Sequence, residues 1–99
     1  MKKKLLCDLD NTVIDVHISI MLMKWDRGKS LAQIRTKKLY REMDCDTFEQ
    51  YLDKKEIFRI SAFADIALYE CFTERELIKL SKKYSYIEII KKMMSKRKV

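Results

Sequence analysis

Leu5-Leu6-Cys7-Asp8-Leu9-Asp10-Asn11-Thr12-Val13 is the stretch on which the fold turns. A short apolar run closing on Asp8 and Asp10 has the pattern of a buried β-strand, and in a strand the side chains at i and i+2 point to the same face. A strand near 3–9 therefore presents both carboxylates together at its C-terminal end. Like charges held that close repel, and the arrangement is tolerable where a hard, oxygen-seeking cation such as Mg²⁺ neutralises them. Without a cation, the same residues read as a strand ending in an Asx-type turn, with Asp10 or Asn11 bonded to the local backbone.

The order of apolar strand, Asp8-x-Asp10-x-Thr12 and following helix resembles the first motif of the haloacid dehalogenase (HAD) superfamily of phosphohydrolases. The resemblance implies Asp8 as the nucleophile toward phosphorus, Asp10 as general acid and base, Thr12 as the residue that fixes the loop, and Mg²⁺ held by Asp8 and Asp10. It covers about the first 15 residues well and the next helical stretch loosely. The family's later elements, a Ser or Thr after a second strand, a Lys and a further acidic pair, are not evident. Asp44 and Asp46 have the spacing, but Arg41-Glu42-Met43 before them is no buried strand. Parallel strands need crossovers of about a dozen residues or more, so 99 residues do not hold the usual core and cap.

The chain has one glycine, Gly28, and no proline, which argues for helices joined by short capped connections. Ser30-Leu31-Ala32-Gln33, Thr47-Phe48-Glu49-Gln50, Thr73-Glu74-Arg75-Glu76 and Ser85-Tyr86-Ile87-Glu88 each fit the capping box. Helices are expected near 14–26, 31–43, 47–55, 62–71, 74–83 and 86–97, with Gly28 ending the first in a left-handed conformation. Ile14, Ile18, Met21, Leu22 and Trp25 share one helical face, while Val16, Ile18, Ile20 and Leu22 also alternate as a strand would. The expected fold class is mostly α with a short N-terminal β element. It is a truncated HAD-like α/β fragment of one strand near 3–9 and five or six short helices.

Hydrophobic residues at 47% suffice for one small domain, 1–99. No apolar run approaches the ~20 residues of a membrane span, and Lys2-Lys3-Lys4 precedes too short an apolar run for a signal peptide, so the expectation is a cytoplasmic protein that avoids membranes. Cys7, Cys45 and Cys71 lack metal-site spacing and read as free thiols. The net charge of +7 lies entirely in 79–99, where Lys79, Lys82, Lys83, Lys91, Lys92, Lys96, Arg97 and Lys98 face only Glu88, while 1–78 is neutral.

In the last helix Tyr86, Ile87, Ile89, Ile90, Met93 and Met94 make a broad apolar face with a lysine-rich back. That back is either a solvated helix face or a surface for polyanions, with Tyr84 and Tyr86 available for stacking to single strands. Phe58, Phe63, Tyr69 and Phe72 make the middle of the chain aromatic, either core or interface, and His17 sits on the polar side of its helix as a solvated residue.

A lone strand leaves both edges unpaired, so it must pair in a homodimer, with 13–22, or with a partner's sheet edge. The first functional expectation is thus a small interaction or inhibitor-type protein, of the sort that small mobile or viral genomes carry. It binds a protein or nucleoprotein complex, or nucleic acid, through an aromatic surface and the basic C-terminal helix. The alternative is a Mg²⁺-dependent phosphohydrolase acting on a small phosphorylated substrate such as a nucleotide, its site completed by another subunit.

Overall fold

The computed structural model describes residues 2–97, with side chains placed from Lys4 to Lys96. All regular structure among them is helical: α1 Lys2–Thr36, a short 3-10 helix Leu39–Met43, α2 Phe48–Lys54, α3 Arg59–Cys71, α4 Glu74–Ser81 and α5 Tyr86–Arg97. The strand near 3–9 does not form, and the α/β fragment is replaced by an all-helical architecture. The physical reason is the one that made the strand awkward: no second strand exists among the described residues to pair with it. A helix satisfies its interior backbone donors within itself.

At 35 residues α1 rises about 52 Å, nearly the full 59 Å length of the molecule, and it serves as the axis on which the rest is built. Its inner stripe is Met21, Gly28, Leu31 and Ala32, buried, with Trp25 partly covered. These residues recur at helical spacing and face α3. Gly28 lies mid-helix with no positive φ, which corrects its expected role as a helix end. What it supplies is closeness. A Cβ at this position would overlap the Asp65 carbonyl of α3 and sit 2.9 Å from the Ile66 nitrogen, so the two backbones meet where only hydrogen fits.

Two apolar clusters flank that crossing. Leu31, Tyr40, Phe48, Leu52, Ala62 and Ile66 close one end; Met21, Leu68, Phe72, Leu77, Ile89 and Met93 close the other. Polar bonds fix the alignment of α1 between them. The Trp25 indole N–H donates to the Phe72 carbonyl at 2.9 Å, and Arg27 Nε donates to Asp65 Oδ2 at 2.6 Å.

Short local signals set the remaining helices. Thr47 caps α2 by accepting from the Gln50 amide at 3.1 Å, and the Gln50 side chain accepts from Asp46 N–H, one residue earlier than the expected box. Thr73 and Glu76 form the complete reciprocal box at α4, where backbone bonding from Thr73 lowers the Glu76 carboxyl below its usual range. Ser85 caps α5 by accepting from the Glu88 amide. Ser30, by contrast, lies exposed inside α1 and starts nothing. The turns use Lys38, Asp44 and Glu56, each with φ near 60° in the left-handed region, where glycine would be the usual choice.

Candidate interaction groove

Asp8 and Asp10 are both exposed on α1, and in a helix residues two apart point in widely different directions. The convergence expected of a strand is therefore lost. Thr12 donates its hydroxyl to the Asp8 backbone carbonyl at 3.1 Å, an ordinary bond to the preceding helical turn. Among the described residues no group of three His, Cys, Asp or Glu side chains is placed to hold a metal ion.

The lysines fall into unequal groups. Lys96 is anchored: its Nζ donates to the Cys71 carbonyl at 2.8 Å and lies 5.2 Å from the Phe72 ring centroid, so it closes the C-terminal end of α3. Lys79 and Lys91 are exposed on α4 and α5. Arg97 ends α5 with its side chain outside the described set, and Lys98 lies outside the described residues. Lys82, Lys83 and Lys92 converge on the α4–α5 turn.

That turn and α1 enclose a groove of about 390 Å³ lined by Val13, Ile14, His17, Lys82, Lys83, Tyr84 and Tyr86, among others. The His17 imidazole holds its two sides together. Nε2 lies 3.0 Å from the Tyr84 carbonyl, which can only accept, so Nε2 carries the proton. This corrects the reading of His17 as merely solvated; a bond to a residue 67 positions away leaves no local trace.

Both tyrosines carry a lysine over one ring face. Lys92 Nζ is 4.2 Å from the Tyr84 centroid, and Lys24 Nζ is 5.0 Å from that of Tyr86. Partial burial, reinforced by the Asp65 carboxylate and opposed by Arg27, raises the Tyr86 phenol above its ordinary value of 10.0. Tyr86 is therefore neutral through the physiological range.

Charge is segregated around this groove. The ion pairs among the described residues are Arg27–Asp65, Arg35–Glu70 and Arg59–Asp53, and none involves Lys24, Lys82, Lys83 or Lys92; Glu88, one turn before Lys92, bonds to Ser85 instead. The larger hollow, about 620 Å³ at the α3–α4 turn, is lined by Glu70, Glu74 and Glu76 and by no basic side chain. Lys96 and Lys29 stand at its edge, over Phe72 and Trp25, so charge is mixed there, whereas no carboxylate lines the groove at the α4–α5 turn.

The aromatic middle of the chain divides in two. Phe72 is buried and Tyr69 packs edge-on to Trp25 at 5.2 Å, whereas Phe58 is 82% exposed and lies beside Ile60 in sequence, 87% exposed. The apolar face expected of α5 is likewise narrower: Ile89 and Met93 are buried, while Ile87 and Met94 face outward. No helix among the described residues is long and apolar enough to cross a membrane.

No protein-family model, curated protein or solved structure matches this chain.

Proposed function

We propose that the protein is a binding module for a polyanionic partner, engaging single-stranded nucleic acid within a nucleoprotein complex through the groove between α1 and the α4–α5 turn. The observation that carries this reading is the groove's composition. Lys24, Lys82, Lys83 and Lys92 surround Tyr84 and Tyr86 with no acidic side chain paired to them among the described residues. Lysines neutralise phosphates and release condensed counterions, while tyrosine faces accept bases without regard to sequence. Lys79 and Lys91 extend the positive field beyond the rim.

The test is fluorescence anisotropy with a labelled single-stranded oligonucleotide over a salt series. Each phosphate contact on a single strand contributes about 0.7 to the slope of log affinity against log salt, so Lys82→Gln, Lys83→Gln and Lys92→Gln together are expected to flatten it by roughly 2. Binding should weaken at every salt concentration, with the helical content unchanged. Affinity indifferent to salt, or a triple variant that binds as the unaltered protein does, contradicts the reading.

A further inference from the structure

Leu6, Leu9, Val13, Val16, Ile20 and Met23 are between 41% and 68% exposed, although all are large and apolar. Their separations alternate between three and four residues, a repeat of 3.5 that draws one continuous stripe along α1. The stripe is distinct from the inner one, since Met21, Gly28, Leu31 and Ala32 face α3. Only Val13 touches both regions, bordering the groove on one side.

Six contiguous large apolar residues at this exposure make a patch on the order of 600 Å², at the upper end of the roughly 300–600 Å² of the largest apolar patch on an ordinary monomer and most of the ~800 Å² that one partner contributes to a standard interface. The helix that bears it also lacks other support. From Lys4 to Val13 every side chain is exposed, and Asn11, Thr12, Val13, Ile14, Asp15, Val16 and His17 are all poor helix formers. Helices of such composition persist through tertiary packing rather than propensity.

We infer that a second copy of this chain supplies that packing, with the two α1 helices paired along the stripe as a short coiled coil. Leu6, Val13 and Ile20 fall at one core position and Leu9, Val16 and Met23 at the other, so every layer of the seam is apolar. The flanking positions Leu5, Asp10, Thr12, His17, Ser19 and Lys24 carry two formal charges of opposite sign, and Asp8 and Asp15 lie on the outer side. Two identical helices therefore meet without opposing like charges.

Sedimentation equilibrium of the full chain from about 1 to about 100 µM tests this. The expected result is a mass rising to twice that of the chain, together with helical circular dichroism that strengthens as the dimer fills. Leu9→Glu with Val16→Glu should weaken association by at least roughly 100-fold, because both charges would be buried in the pair. Both side chains are more than half exposed and belong to neither core cluster, so the unfolding midpoint followed by Trp25 fluorescence under monomeric conditions should move little. Leu9→Ile with Val16→Ile should keep the dimer. A chain that stays monomeric throughout, or a dimer that survives the double glutamate substitution, overturns the inference. So does a monomer that instead sediments with phosphatidylglycerol vesicles. Oligonucleotide binding by the Leu9→Ile with Val16→Ile variant, which adds no charge, reads the groove separately, because neither position lines it.

Discussion

Gly28→Ala is expected to cost the fold about 3 kcal/mol or more, a large part of what holds a small domain together. Two effects oppose each other at this position. Alanine is the better helix former by about 1 kcal/mol, and in an unpacked helix the substitution would stabilise. In α1 the added methyl would overlap the Asp65 carbonyl carbon and oxygen, which belong to the backbone of α3 and cannot turn aside. The two helices must separate, and Met21, Leu31 and Ala32 then lose their fit against Ala62, Ile66 and Ala67. Urea unfolding followed by Trp25 fluorescence measures the difference, with exposed Ser30→Ala as a control expected within about 0.5 kcal/mol of the unaltered protein. A neutral or stabilised Gly28→Ala variant would mean that α1 and α3 do not cross here.

Arg27→Ala should be the next most damaging change. Asp65 is 1% exposed, its Oδ2 accepts from Arg27 at 2.6 Å, and its Oδ1 has no hydrogen-bond partner among the described residues. Removing the guanidinium strands a buried carboxylate, an event that costs about 3 kcal/mol. The loss belongs to the stranded charge rather than to the missing bond. Arg27→Met combined with Asp65→Asn should therefore recover most of it, since no charge then remains buried. A loss below about 0.5 kcal/mol in Arg27→Ala would show that the carboxylate is better solvated than this packing allows.

Much of the C-terminal half could be read from the chain because its determinants are local. Thr47, Thr73 and Ser85 announce helix starts through residues three positions away, and the excess of lysine after residue 79 needs no fold to be seen. Other features could not, for three physical reasons. Leu5 to Val13 is short and β-branched at its end, so it satisfies a strand period and a helix period equally well. Gly28 looks like a helix stop, and its actual role depends on a helix that arrives 37 residues later at Asp65. The turns at Lys38, Asp44 and Glu56 adopt a glycine-like backbone without glycine.

The candidate groove was half visible. Lys82, Lys83, Lys92, Tyr84 and Tyr86 stand close together in sequence. Lys24 and His17 join them only because α1 runs unbroken past the α4–α5 turn. The same continuity parts Asp8 from Asp10 and lays out the apolar stripe from Leu6 to Met23. The interaction groove and the proposed dimer seam thus share a single premise, the helix Lys2–Thr36.

Residue-specific nuclear magnetic resonance tests that premise most directly. Carbon-alpha secondary shifts of helical sign at every residue from Leu5 to Val13, with sequential amide–amide Overhauser effects, are the predicted result. Strand-type shifts there, accompanied by cross-strand contacts, would contradict it, and would bring Asp8 and Asp10 back onto one face.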